Sequence, residues 1–270
     1  MHTFQTLEPG LDPPRHALAA ARAVDAVPML SWVPKYGLEG ILGGDHDAHL
    51  RTYAQAIGTL DYPILLRFGH EMNLPGTGWF GPPDPFIAAW RRVRTAFEEA
   101  GTHNVIWVWC PYVHDRGMRR FEPYYPGHDV VDVVALDGYN WGRRRWWHRW
   151  RGFDAIFSAS YAALRRLAPD KPMILAEVGC AETGGDKAAW MRQALLRALP
   201  ERYPAIEAVV WFDHDRPDHA DWRIDSSPAA LAAWQEIAVD PRYQLAGAAL
   251  VERLIHGGGV EFGPSRSSLG

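Results

Sequence analysis

The sequence has 270 residues, enough for one α/β barrel of the usual ~250 residues. Its 28 basic and 32 acidic residues leave a net charge of −4, which marks no nucleic-acid binder, and the 47 % apolar share excludes a disordered chain. No run of ~18 apolar residues predicts a membrane span, and two cysteines exclude a disulfide scaffold or a zinc–cysteine cluster.

In chain order, residues 2–7 read as a short strand, and Pro13-Pro14 opens a helix that runs to Ala23. A strand over 27–33 and a helix over 46–57 follow. The run PILLRF (63–68) is apolar enough for a strand buried on both faces. Helical spacing of tryptophan, valine and phenylalanine predicts a helix over 85–100, stopped by Gly101. Further strands are expected over 104–109, 130–136, 173–177 and 208–212, with helices over 153–167, 187–199 and 228–238. LAGAALVERLI has the makings of one more short helix, and the glycine- and serine-rich end reads as a mobile tail.

Strands alternating with helices predict a parallel sheet with helical crossovers. An open nucleotide-binding sheet calls for a glycine-rich loop after an early strand, and no GxGxxG stands there. Polar residues gather instead just past the ends of several strands: His70-Glu71, Asp137, Tyr139, Glu177 and Asp213. That distribution favours a (β/α)8 TIM barrel as residues 1–240, with residues 241–270 as a C-terminal extension.

Two glutamates carry the chemical argument. Glu71 lies within RFGHEMN (67–73), and Glu177 sits in ILAEVG (174–179). An acid on an apolar strand is costly unless partnered or functional. Two of them at one mouth suit retaining glycoside hydrolysis, where an acid/base and a nucleophile stand about 5–5.5 Å apart. Arg67 and Tyr139 near Glu177, and His70 or an aromatic beside Glu71, are candidates to set the two carboxyls apart.

The ordered set RFGHEMN, WVWCP (107–111), YYPG (124–127), VDVVALDGYNWG (131–142), KPMILAEVG (171–179) and VVWFDHD (209–215) resembles glycoside hydrolase family 26, the endo-β-mannanase and lichenase family, from Pro28 to about Ala238. The resemblance implies a retaining endohydrolase of a β-linked polysaccharide, β-1,4-mannan or mixed-linkage β-glucan, with no cofactor and no metal. By it Glu71 is the general acid/base and Glu177 the nucleophile. His70 orients sugar and carboxyl, Tyr139 hydrogen-bonds the nucleophile, Arg67 lies beneath the pair, and Trp211 forms a floor under the sugar. The family's clan ends strand four with the acid/base and strand seven with the nucleophile, whereas here they end the third and sixth readable strands. A barrel lacking its first β/α unit is therefore expected, with the tail strand 259–262 as one filler of the vacant slot. MHTFQTLEPG shows no secretory signal, and a clipped start would have removed one, so the compartment and the oligomeric state stay open.

Among the 13 tryptophans, Trp79, Trp109 and Trp141 fall at strand ends and are expected to stack on sugars, as is the 146–150 cluster, whereas Trp90, Trp190 and Trp234 fit core positions. Arg143-Arg144-Arg145 with Arg149 and Arg151 form a basic patch: a solvated loop, or a contact for an anionic glycan. Two readings compete with the glycosidase: a metal-dependent barrel hydrolase using His70, Glu71, Asp213 and His214, and an inactive barrel that only holds polysaccharide. Cys110 and Cys180 are expected as separate buried thiols.

Overall fold

The computed structural model of the protein describes residues 1–256 other than residues 116, 144, 217 and 218. Seven parallel strands pair strictly in chain order: β1 (His2–Thr6), β2 (Met29–Val33), β3 (Ile64–Phe68), β4 (Val105–Trp109), β5 (Val133–Asn140), β6 (Met173–Cys180) and β7 (Ile206–Trp211). Helical crossovers join all but β4 and β5, between which only a 3-10 turn at Glu122–Tyr124 is described: α1 (Arg15–Ala23), the short α2 (Glu39–Gly43) with α3 (Asp47–Gly58), α4 (Pro83–Glu99), α5 (Phe153–Leu167), and α6 (Lys187–Met191) with α7 (Leu199–Arg202). After β7 come α8 (Pro228–Ala238) and α9 (Gly247–His256). β1 and β7 are the sheet's two edges and share no pairing among the described residues. Their ends nevertheless face each other, with the rings of Phe4 and Phe212 6.4 Å apart, so the sheet curls into a half-barrel. The proposed tail strand 259–262 lies outside the described residues.

Strand alternation divides the core into two layers. Met29, Leu65, Ile106, Val108, Val133, Ala135, Ile174 and Ala176 form an inner cluster on the concave face. Leu30, Trp32, Leu66, Phe68, Trp107, Trp109, Leu136 and Leu175 belong to the outer cluster against the helices. There α5 presents Phe153, Ile156, Phe157, Ser160, Ala163 and Leu164, the spacing of one helical face. Local caps fix helix starts: Asp186 accepts from the Ala189 N–H at α6, and Ser227 from the Ala230 N–H at α8, where Pro228 occupies the first helical position.

α9 belongs to the inner layer. Leu254 is fully buried in the concave cluster, with Leu250 and Val251 packed beside it. Arg253 reaches Glu207 on β7 at 3.4 Å, and the Gly247 N–H donates to the Asp25 carbonyl at 3.0 Å. A Cβ on Gly247 would lie 2.5 Å from that carbonyl, so this approach demands glycine. The C-terminal helix thereby stoppers the open side of the half-barrel, joining β7 to the segment before β2.

Two elements differ from the periodicity. β5 and β6 run three or four residues beyond their apolar stretches because Asp137–Asn140 and Glu177–Cys180 pair with one another in register. The helix expected over 187–199 extends to Arg202 and widens into a π turn at Arg192–Ala198.

Candidate active site

The concave mouth holds a cleft of about 430 Å³, within the range of small-molecule sites. Glu71 and Glu177 both line it, with His70, Tyr139 and Trp141. How Glu177 gets there depends on a local irregularity. Simple alternation after Ile174 and Ala176 would turn residue 177 outward beside Leu175. In the β5–β6 ladder Leu136 faces Leu175 while Asp137 faces Glu177, so one extra residue, Ala176, bulges from β6. The bulge re-aims Glu177 inward, the function such defects serve beside many sites.

Glu177 is almost fully buried, and both of its oxygens accept hydrogen bonds. The Arg67 guanidinium donates through Nη2 to Oε1, and the Tyr139 hydroxyl donates to Oε2. Arg67 is wholly buried and saturated. Its Nη1 donates to Asp137 Oδ2 at 2.6 Å and its Nε to Ser31 Oγ at 2.7 Å, while its Nη2 also lies 3.3 Å from His2 Nε2. The Cys110 thiol donates to the other Asp137 oxygen at 3.1 Å. Ser31 Oγ accepts from Arg67 and lies 2.7 Å from His2 Nε2. One cation thus ties β3 to β2, β5 and β6. A buried charge needs such full pairing to be tolerated.

Glu71 is built differently. It follows Gly69 (φ +54°) and itself sits at φ +55°, a left-handed backbone that L-residues adopt at a cost of roughly 1–2 kcal/mol. Its N–H donates to the Cys110 carbonyl at 2.8 Å, anchoring the turn to β4. Burial, then the carboxylates of Asp137 and Glu177, push its carboxyl well above the usual range, with Arg67 and Arg216 pulling the other way. Asp137 is raised by burial to about 8 despite Arg67. Burial and the neighbouring carboxylates also raise the Tyr139 phenol, which remains a donor. His70 is pushed well below its ordinary value by burial, Arg67 and His2, so its imidazole is neutral. Its ring stands 5.7 Å from both Phe4 and Trp79.

Three tryptophans expected at the sugar sit elsewhere. Trp109 is fully buried in the outer layer, edge-on to Phe121 and Tyr125. Trp211 shares that layer with Trp190 and Trp234, under the Lys187 ammonium, and its indole N–H donates to the Trp222 carbonyl at 2.7 Å. Trp79 is buried, and its N–H donates to the His70 carbonyl at 2.8 Å. Trp109 and Trp211 belong to the side of their strands opposite Cys110 and Val210, so neither lines the cleft. Trp211 and Trp79 touch the cleft only through their hydrogen bonds to the carbonyls of Trp222 and His70. Trp141 does line the cleft, its N–H donating to the Tyr112 hydroxyl at 3.0 Å.

The cleft residues that sequence reading missed are Phe4, Leu74, Tyr112, Phe212, Arg216 and Trp222. Trp222 packs 4.9 Å from Tyr139 and 5.0 Å from Trp141, and Gly179 makes room: a Cβ there would meet both Trp222 and Tyr139 at 3.0 Å. Inward parity on β7 signals Phe212, which follows Val210 by two residues. Trp222 lies in a loop, where no periodic signal exists.

The metal reading assigned Asp213 with His70, Glu71 and His214. Asp213 is exposed and instead accepts from the Ile224 N–H at 2.8 Å. Among the described residues His70, Asp137 and Glu177 bring ligand atoms within 4.8 Å of one another. Arg67 already engages both carboxylates, however, and a divalent cation there would stand against a buried guanidinium. Cys110 and Cys180 are separate, buried free thiols. No described helix is long and apolar enough to cross a membrane.

Residues 48–190, just over half of the 270, match the sequence profile of glycosyl hydrolase family 26. The chain belongs to that family. Endoglucanase H of Acetivibrio thermocellus is 36 % identical over 218 residues, covering 77 % of this chain and 24 % of its own. A mannan endo-1,4-β-mannosidase A and B of Caldalkalibacillus mannanilyticus is 28 % identical over 165 residues, 57 % of this chain and 29 % of its own. This family 26 chain therefore spans under a third of the length of those relatives. Among solved structures, a Cellulomonas fimi endo-β-1,4-mannanase double mutant superposes with a TM-score of 0.64 at 22 % identity, covering 85 % of this chain and 58 % of its own. The family 26 domain of an endo-β-mannanase/endo-β-glucanase from Prevotella bryantii gives 0.63 at 14 % identity, covering 92 % and 83 %. These likenesses establish the (β/α) barrel fold for the half-barrel described above.

Proposed function

We propose that this chain is a retaining, endo-acting glycoside hydrolase that cleaves a β-linked polysaccharide, β-1,4-mannan or mixed-linkage β-glucan, by double displacement. One observation carries the reading: across one cleft, Glu177 is gripped at both oxygens by Arg67 and Tyr139, while Glu71 has a carboxyl raised by burial. In the first step Glu177 forms a bond to the anomeric carbon as the glycosidic C–O bond breaks, and Glu71 gives its proton to the leaving oxygen. In the second, Glu71 takes a proton from water, the water oxygen bonds to the same carbon, and the Glu177 ester bond breaks. His70 and Trp141 contact the sugar, with Trp222 in the floor role. Trp211 and Trp79 support them from behind.

The family membership and the endoglucanase and mannosidase names of the relatives support the substrate class. Glu71 follows β3 and Glu177 ends in β6, a spacing of three. On that spacing we read β1 as the counterpart of the second strand of the family's eight-stranded barrel. Reducing-sugar release from mannan, mixed-linkage glucan, xylan and an acidic exopolysaccharide tests the activity, with Glu177→Ala in parallel. Hydrolysis of a β-glycan that Glu177→Ala abolishes is the expected result. No hydrolysis of any polymer sinks the enzyme, and undiminished Glu177→Ala activity sinks the nucleophile.

A further inference from the structure

The loop after β5 is chemically unlike the rest of this acidic protein. Residues 141–153 contain four tryptophans, five arginines and no aspartate or glutamate. Two of the tryptophans lie in the open: Trp146 is 84 % exposed and Trp147 52 %. Exposed indoles side by side are unusual on a surface with nothing to bind. They are also connected to the cleft. The Trp141 ring, on the cleft wall, stands 5.4 Å from His148; His148 stands 5.6 Å from Trp147; and Trp147 stands 5.5 Å edge-on from Trp146. The rings form an unbroken track from the reaction centre to the outer surface.

Cations flank the track. Arg145 lies over the Trp147 ring at 5.3 Å, and Arg149 donates to the carbonyls of Trp146 at 2.7 Å and His148 at 3.0 Å, fixing the turn that displays the indoles. Among the described residues Arg143, Arg145 and Arg149 have no carboxylate partner, whereas Arg151, at the base, pairs with Asp115 at 3.0 Å. Arg216, also without a carboxylate partner among the described residues, adds another guanidinium to the cleft wall itself. Several other surface arginines are matched to acids, as at Arg91–Asp129, Arg92–Asp47 and Arg223–Asp221.

We propose that the 141–150 loop is a glycan-binding arm that extends the cleft and favours an acid-substituted form of such a β-glycan, its sugar faces lying on Trp141, Trp147 and Trp146 and its carboxylates meeting Arg143, Arg145 and Arg149. The proposal deepens the glycosidase reading and rests on it for the direction in which the chain leaves the cleft. A flat indole covers the C–H face of a pyranose whatever its linkage, so the aromatic track supplies affinity for the chain. The guanidinium forks supply the preference for carboxylate. The arm thereby selects an acidic polymer although the molecule as a whole repels one.

Affinity electrophoresis of the full chain tests it, in native gels containing a β-glucan or a β-mannan in carboxymethylated and uncharged forms. The wild type is expected to be retarded most by the charged polymers at low salt, with the excess lost near 0.5 M salt, where the Debye length falls to about 4 Å. Trp146→Ala with Trp147→Ala should weaken retardation by every polymer about tenfold. Arg143→Gln with Arg145→Gln should remove only the excess for the charged ones. Both pairs are exposed, so the fold survives them. Equal retardation by charged and uncharged polymers, no retardation by any, or variants that run like the wild type would each overturn the arm. Retardation without hydrolysis of any polymer would overturn the glycosidase and leave the arm standing.

Discussion

Replacing Arg67 by methionine keeps most of the side-chain volume and removes the cation from beneath the cleft. The variant leaves two buried carboxylates, Asp137 and Glu177, facing each other without their shared partner, and strips Ser31 and His2 of a donor. Removing one member of a buried pair costs about 3–5 kcal/mol. The loss must depend on pH. A carboxyl whose folded pKa lies above its unfolded value binds more protons when folded, so stability is full below the unfolded pKa and declines as pH rises toward the folded one. Burial already raises Asp137 to about 8, so the wild type loses some stability between about pH 4 and pH 8. Without Arg67 the Asp137 carboxyl moves further up, and the decline steepens. Urea unfolding should therefore show Arg67→Met weaker than the wild type by about 3–5 kcal/mol at pH 8 and by clearly less at pH 5. Adding Asp137→Asn should recover part of the loss, a coupling of about 0.5–3 kcal/mol. A deficit below about 1 kcal/mol at pH 8, a deficit larger at pH 5, or strict additivity with Asp137→Asn would refute the reasoning.

Three shorter predictions follow from the same geometry. Glu71→Gly should abolish hydrolysis yet raise stability by roughly 1–2 kcal/mol, because it relieves the φ of +55° and removes a half-buried carboxyl; a less stable variant in thermal melts contradicts the strain. Arg216→Gln should move the alkaline limb of the kcat/KM pH profile upward, since this cation lowers the Glu71 carboxyl that must be protonated; a limb that stays put or moves down removes Arg216 from the electrostatics. Leu254→Ala, in the helix that stoppers the concave layer, should cost about 2–5 kcal/mol in urea unfolding, and a loss under about 0.5 kcal/mol would show that α9 contributes nothing to the core.

The sequence carried the architecture because buried parallel strands read as continuous apolar runs: ILLRF, VIWVW and MILAEV stand out without any partner known. Glu71 and Glu177 were legible as acids where apolar strands end. The tryptophans were misassigned for a reason the pleat makes plain. On β4 inward Ile106, Val108 and Cys110 alternate with outward Trp107 and Trp109, so an aromatic at a strand end points into or away from the cleft by parity alone. Counting from Cys110, which meets Arg67 and Asp137, places Trp109 correctly. The same count fails for Glu177, because the Ala176 bulge is a property of the β5–β6 ladder and has no local signature. Trp222, Phe4 and the His2–Ser31 contact to Arg67 depend on which segments the curled sheet brings together. Alternation along a single strand carries no trace of that.

The central claim is that Glu177 attacks the sugar while Glu71 handles the proton. Mass spectrometry of the Glu71→Ala variant, incubated with activated aryl β-glycosides of the sugar that the polysaccharide screen identifies, tests it directly. Formation of the glycosyl-enzyme survives with a good leaving group, but its hydrolysis loses the base, so an adduct should accumulate on the peptide containing Glu177. Hydrolysis with no adduct, or an adduct on any other residue, would contradict the account.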